Sequence, residues 1–245
     1  MTGPLVSCVL PTRDRPGFVR QAVCYFVRQT YVHLELVVVD AGTTAAPLPP
    51  DPRIRSIRLG GSATIGAARN VGCAEARGQL IANWDDDDWV GPDRLKDQVA
   101  AIEAAGADLC GLGTLLAYHP GIGRAWHYRP LADDPPFVVG GSLLFRRSAW
   151  RARPFPDSSV GEDAEFAAPF ENERVATLHD RTWYVAILHP GNTAHKNLRD
   201  PRWSPAPMDE VAARLRSDLA FYLPTSPPTG NHAVAVPSRS AFSSL

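Results

Sequence analysis

Four consecutive aspartates, Asp85 to Asp88, stand between Trp84 and Trp89, directly after the apolar run Leu80-Ile81-Ala82. Two unit charges about 4 Å apart repel by about 1 kcal/mol in bulk water and by about 4 kcal/mol at the effective dielectric near a protein surface. Such a run therefore needs full solvation or a cation. The strand-like approach and the two indoles argue against full solvation, and a divalent cation with oxygen ligands would relieve the repulsion. A solvated acidic turn that also caps the helix starting near Pro92 is the competing reading.

Further residues with chemical potential lie downstream. Gly161-Glu162-Asp163-Ala164-Glu165-Phe166 reads as a turn and a short helix with carboxylates in its first turn, where acids either complement the helix dipole or serve as a base. His189 and His195 fall in a loop, as metal ligands or as ordinary loop histidines. The formal net charge of -1 offers no basic face for nucleic acid. Cys8, Cys24, Cys73 and Cys110 are widely spaced with no C-x-x-C pair, which reads as free thiols in a reducing compartment. The start of the chain shows no basic leader, and no stretch approaches the roughly 18 apolar residues of a membrane span. These features predict a soluble, cytoplasmic protein without an integral membrane segment.

The elements that must position these groups follow from apolar runs and turn residues. Leu5 to Leu10, closed by Pro11, predicts a buried strand, and Pro16 to about Gln29 a helix with Asp14 as its N-cap. Leu34 to Val39 is a second strand ending at Asp40, and Ile54 to Leu59 a third. Gly60-Gly61-Ser62 turns the chain into a helix from Ile65 to Ala76, and Leu80 to Trp84 is the fourth strand. This order implies an open α/β sheet with helices on its faces, and ligands outside the carboxyl ends of its strands. Thr12, Asp40 and Asp85 each follow such an end.

Beyond the acidic run, a helix spans Pro92 to Ala104 and a strand Leu109 to Tyr118, with Arg124 to Tyr128 as its hairpin partner. Phe137 to Phe145 reads as a strand interrupted by Gly140-Gly141-Ser142. Arg174 to Leu178 and Trp183 to Leu188 read as a final strand pair, and Met208 to Leu223 as an amphipathic helix. Length and a 44% hydrophobic content allow one large domain, divided into 1–108, 109–223 and a mobile Pro/Ser-rich tail at 224–245.

In these positions the chain resembles the family 2 glycosyltransferases, nucleotide-sugar enzymes of the GT-A fold. Val9-Leu10-Pro11-Thr12-Arg13-Asp14-Arg15 is similar to their first-strand signature, and Leu36 to Thr43 to their second strand with its terminal Asp. Gly66-Ala67-Ala68-Arg69-Asn70-Val71-Gly72 resembles their G-x-x-x-A-R-N-x-G helix, one residue shorter between Gly and Arg. The stretch Gly78 to Leu95 resembles their D-x-D-D segment, and Gly140-Gly141-Ser142 and Gly161-Glu162-Asp163 their acceptor-side loop and Glu-Asp motif. The resemblance covers roughly residues 5 to 195. It implies a single GT-A-like domain with a mostly parallel open sheet flanked by helices and a smaller acceptor-side subregion.

The resemblance also implies roles. Pro11, Thr12, Arg13, Asp40 and Arg69 would hold the nucleoside, with Asp85 and Asp86 on the donor side and Asp86, at the variable position, as solvated charge. Asp87 and Asp88, with His189, would bind Mn²⁺ or Mg²⁺ across the diphosphate. Asp163 would be the catalytic base, with Gly140, Gly141 and Glu162 on the acceptor side. The implied reaction moves a sugar from a nucleoside-diphosphate sugar, a UDP-sugar first, to a small-molecule, glycan or peptide acceptor by single displacement with inversion. Two departures stand out. Ala45 and Ala46 occupy the place of a second Asp after Asp40, and the late basic residue of the family falls on Arg199 or Lys196 without a secure match. A nucleotidyltransferase and a non-catalytic nucleotide-sugar-binding module are the alternatives.

Overall fold

The computed structural model describes residues 3–134, 137–170 and 174–223; the expected tail from Pro224 lies outside them. The first half runs β1 (Val6–Thr12), α1 (Pro16–Val27), β2 (Leu34–Asp40), β3 (Ile54–Arg58), α2 (Ile65–Glu75), β4 (Leu80–Asn83), β5 (Trp89–Val90) and α3 (Arg94–Ala105). The second half contains β6 (Leu109–Leu112), β7 (Leu115–His119), β8 (Arg124–Tyr128), β9 (Leu144–Arg146), α4 (Arg147–Ala152) and α5 (Glu162–Ala167). It continues through β10 (Val175–Leu178), β11 (Tyr184–Ile187), β12 (Trp203–Ala206), α6 (Met208–Leu215) and α7 (Leu219–Tyr222).

A seven-stranded sheet in the order β10-β6-β9-β4-β1-β2-β3 is parallel except for β9, which runs against both β4 and β6. Alternation along its strands assigns each side chain to a layer. Val6, Cys8 and Leu10 pack with Val19, Ala22, Val23 and Phe26 of α1, while Val9 lies in a separate cluster with Cys73 of α2. Burial of each such Val, Leu or Phe is worth about 1.5–3 kcal/mol, so two-sided packing fixes these strands firmly. A Cβ at Gly72 would collide with Val9, which is how α2 comes to sit so close to β1.

Several elements differ from the sequence reading. The apolar run Leu109 to Tyr118 is two strands in two sheets: β6 joins the large sheet, and β7 enters a second, five-stranded sheet in the order β12-β8-β7-β11-β5. The expected hairpin of β7 and β8 forms. The expected pairing of β10 with β11 does not, because β10 lies parallel to β6 whereas β11 pairs with β7 and β5. Gly140–Ser142 is a 3-10 turn ahead of β9 rather than a strand interruption, since Ser142 Oγ bonds Val139 O and Leu112 N. Asp14 does not cap α1. Its carboxylate accepts from Thr43 N and Oγ1, so the loop after β2 takes the bond that the helix would have had.

The last helical segment breaks at Arg216, where a 3-10 turn redirects the chain into α7. In that turn Asp218 accepts from both Arg28 and the Trp89 indole. Tyr222 meets Tyr25 hydroxyl to hydroxyl at 2.9 Å, and Phe221 packs edge-on against Phe18 at 6.0 Å. Cys8, Cys73 and Cys110 are buried, Cys24 is exposed, and all four thiols are free. Among the described residues no helix is long and apolar enough to cross a membrane.

Candidate active site

The acidic run leaves β4 at its carboxyl end and is pinned on both sides. Trp84 is fully buried with its indole N–H on Ala22 O, and Trp89 donates to Asp218. Beneath the run lies Arg94, also fully buried, with Trp84 and Tyr184 rings at 5.2 and 5.8 Å. Arg94 donates to Asn83 O, Gly141 O and Gln98, so one guanidinium ties the end of β4 to the glycine turn. Burial lowers its pKa, with Tyr184, Cys8, Asp85 and Asp88 acting in the opposite direction.

The four carboxylates point to four different sets of partners. Asp85, the most exposed at 25%, accepts from Arg69 Nη2 at 2.8 Å. Asp86 is only 5% exposed and accepts from Thr12 Oγ1 at 2.7 Å and Arg15 Nη1 at 3.0 Å. The expectation of solvated charge at Asp86 is therefore corrected: the strand end of β1 and Arg15 enclose it. Asp87 Oδ2 gathers Arg15 Nη1 at 2.9 Å, His189 Nε2 at 3.0 Å and Asn192 Nδ2 at 3.2 Å. Asp88, expected as the metal pair to Asp87, borders the same cleft, but its carboxylate accepts from the Tyr184 hydroxyl and from Ile187 N and so anchors β11.

These surroundings separate the acids electrostatically. Burial, then Asp87, pushes the Asp86 carboxyl up to about 6 against the pull of Arg15 and Thr12. Burial and the neighbouring Asp87 and Asp85 raise Asp88 well above the usual carboxylate range. Asp87 is also desolvated, yet the His189 bond and Arg15 outweigh burial and hold its pKa low. Asp87 is thus held anionic where burial favours the protonated forms of Asp86 and Asp88.

Arg15 and Arg94 were invisible as site residues because their partners lie 71 or more and up to 49 positions away. Arg15 stood inside the first-strand motif and Asn192 inside the turn after His189, but nothing in either spacing indicated Asp87. His189 itself is stacked on Phe18 at 5.0 Å.

Arg69 is buried within α2 and bridges Asp85 at 2.8 Å and Glu162 at 3.3 Å, with its Nη1 unpaired. Desolvation opposes its charge, but Asp85 and Glu162 prevail and raise its pKa. Glu162 is held by this pair and lifted by burial, whereas Asp163 beside it lines the cleft. A Cβ at Gly140 would strike the Asp163 carboxylate, and one at Gly141 would strike Tyr184 and Asp85. The two glycines thus let acids from opposite walls approach a common turn.

A cleft of about 740 Å³ joins these groups, lined by Pro11, Thr12, Arg13, Arg69, Asp85 to Asp88, Gly140, Gly141, Glu162 and Asp163. Asp40 lies behind this lining. Its carboxylate accepts from Gly42 N, Ala46 N and Arg58, the first of these an Asx-turn contact that shapes the loop after β2. Arg13 donates to Ala63 O across the same end. Of the two late basic candidates, Lys196 lines the cleft and Arg199 does not.

An open, mostly parallel sheet with carboxylates at a central strand end defines the GT-A architecture, and solved structures bear this out at the level of fold. Staphylococcus aureus TarS, solved with UDP-GlcNAc, matches with a TM-score of 0.59 at 18% identity over 78% of this chain and 61% of that one. A mannosyltransferase of Pyrobaculum calidifontis, solved with GDP-Man and Mn²⁺, matches with a TM-score of 0.57 at 18% identity over 78% and 59%. The sequence profile described as glycosyl transferase family 2 matches residues 7–156, and the chain belongs to that family.

Among its relatives are the succinoglycan biosynthesis protein ExoO of Rhizobium meliloti, 39% identical over 43% of this chain and 32% of that protein. The uncharacterized glycosyltransferase EpsJ of Bacillus subtilis is 29% identical over 89% of this chain and 70% of its own length. Against ExoO and an uncharacterized glycosyltransferase of Haemophilus influenzae the match spans 32% and 42% of the relative.

Proposed function

We propose that the chain transfers a sugar from a nucleoside-diphosphate sugar to an acceptor nucleophile, with a divalent cation on the diphosphate and inversion at the anomeric carbon. The observation that carries this reading is the convergence of Arg15, His189 and Asn192 on Asp87 Oδ2 in the cleft that also exposes Asp163. An anionic carboxylate and an imidazole nitrogen 3.0 Å apart fit part of a cation's ligand set. Among the described residues no three His, Cys, Asp or Glu side chains converge on one point, so Asp87 and His189 would hold the cation together with oxygens of the donor and of water. When bound, Mn²⁺ or Mg²⁺ would act as a Lewis acid toward the charge developing on the leaving diphosphate.

The chain's own residues perform the other tasks. Arg69, anchored by Glu162, holds Asp85 toward the donor, and Thr12 and Arg15 hold Asp86 behind it. Pro11, Thr12 and Arg13 border the nucleoside end, where Asp40 acts by ordering its loop. Asp163 takes the proton of the attacking acceptor, and residues 109–223 supply most of the acceptor side, with Gly140 and Gly141 between the two reacting partners. A UDP-sugar and GDP-mannose are the first donors to test, because TarS and the mannosyltransferase were solved with such ligands. Four free thiols favour a reducing, cytoplasmic setting.

Thermal-shift measurements with a panel of nucleotide sugars, with and without Mn²⁺, test the reading. A bound donor at 100 times its Kd stabilises by about 2.7 kcal/mol. A metal-dependent shift for one donor, lost in Asp87→Ala, is expected; no shift with any donor and metal would sink the proposal. Donor binding without transfer to a broad acceptor panel would point instead to a non-catalytic binding module.

A further inference from the structure

The cleft that holds Asp163 is also lined by aromatic side chains that the transfer chemistry does not use. Tyr128 and Trp203 are direct cross-strand partners on β8 and β12, with ring centroids 4.9 Å apart, and Phe137 packs on Tyr128 at 5.0 Å. All three border the cleft; Tyr128 is its buried floor, whereas Phe137 and Trp203 remain half-buried. Half-buried aromatic rings lining a cleft offer a ligand an apolar surface to cover. Phe137 lies three residues before Gly140, the residue on which Asp163 rests.

The rim of this wall is polar, and the arginine nearest the rings is paired. Arg202 grips Asp200 through two bonds of 2.8 and 2.6 Å, and its guanidinium sits over the Tyr128 ring at 5.7 Å. A donor and an acceptor side by side suit the vicinal hydroxyls of a neutral polyol, and the negative faces of the rings suit the weakly positive C–H face of a pyranose. A phosphorylated occupant would call for a free cation over the rings, and the guanidinium that sits over Tyr128 is already held by Asp200. We propose that Tyr128, Phe137 and Trp203 form the acceptor subsite, that its occupant is a pyranose residue of a saccharide, and that Trp203 and Phe137 select it by stacking. This rests on the glycosyltransferase reading above.

Saturation-transfer NMR with methyl glycosides of glucose, galactose, mannose and N-acetylglucosamine, on protein holding UDP or GDP with Mn²⁺, provides the test. Ring C–H protons of at least one glycoside should receive saturation from the aromatic protons. Phe137→Ala and Trp203→Ala should weaken that glycoside roughly tenfold, and Trp203→Phe should retain most of the binding. Trp203 also packs against Trp126 and Leu188, so the Phe137 variant gives an answer even if Trp203→Ala unfolds. Nucleotide affinity measured on the same samples separates the two readings. If nucleotide binds and no glycoside contacts the rings, or glycoside binding ignores both alanine variants, the subsite is wrong and the enzyme reading stands. Loss of nucleotide binding in folded Trp203→Ala would assign the rings to the donor and overturn the subsite. If the parent binds no nucleotide at all, the enzyme reading fails and takes this inference with it.

Discussion

The two walls of the cleft are built on opposite plans. On the donor wall the strand ends of the seven-stranded sheet present acids that are each held by side chains from distant elements, with two buried arginines, Arg69 and Arg94, behind them. On the other wall, which we propose for the acceptor, the five-stranded sheet presents buried Tyr128 and half-buried Trp203, with Phe137 and a loop from Asn192 to Asp200 beside them. Removing one partner from a buried charge network leaves another group desolvated and unpaired, so the donor wall is intolerant of change. The half-buried rings of the other wall carry no such network and can change at lower cost. On the proposed assignment the chemistry is therefore rigid on one side while specificity is adjustable on the other.

The contrast can be broken in four places. Asp87→Ala should abolish cation-dependent nucleotide binding while the fold persists; calorimetry with UDP or GDP and Mn²⁺ checks this, and parent-like binding would remove Asp87 from the site. Asp163→Asn should lower turnover by about 10²–10⁴-fold and leave nucleotide affinity unchanged, a split visible in steady-state kinetics beside direct binding.

Arg94→Met should cost about 3–5 kcal/mol in urea unfolding, since it strips Asn83 O, Gly141 O and Gln98 of their donor and leaves the acids above without compensation. A loss under about 1 kcal/mol, the range of exposed ion pairs, would show the donor wall to be no more rigid than the surface.

The smallest effect concerns pH. Burial and Asp87 push the Asp86 carboxyl up to about 6, and burial with Asp87 and Asp85 raises Asp88 well above the ordinary value near 3.8. Protons compete with a cation for the run, so cation-dependent nucleotide affinity should rise as pH increases through about 6, by roughly tenfold per proton displaced per pH unit. The sign for stability is opposite: a carboxyl whose folded pKa is raised binds more protons folded than unfolded, so the unloaded protein should lose stability between pH 4 and 6. Titrating nucleotide affinity and urea midpoints over that range tests both signs, and a flat affinity profile would mean that the run carries no shared proton.

Much of the donor wall was legible in the sequence because its signals are local. Uninterrupted apolar strands, the polar residue after each, and indoles flanking four acids all declare a partly desolvated strand-end site within short windows. The acceptor wall was not legible, because its sheet is assembled from short strands far apart in the chain. β5 is two residues long, and β6 and β7 read as one apolar run although Gly113 and Thr114 divide it between two sheets. Asp86 was misjudged for a related reason. Its burial depends on Thr12 and Arg15, more than seventy positions away, and no periodicity connects them.

The turn carrying Asp218 has a practical consequence for trimming the chain. That single carboxylate holds the indole of Trp89 at the far edge of the acidic run, and the next turn places Phe221 against Phe18, the ring on which His189 lies. A truncation stopping short of Asp218 would leave every residue of the catalytic cleft in the polypeptide, yet it would remove the clasp that keeps two of its components in place.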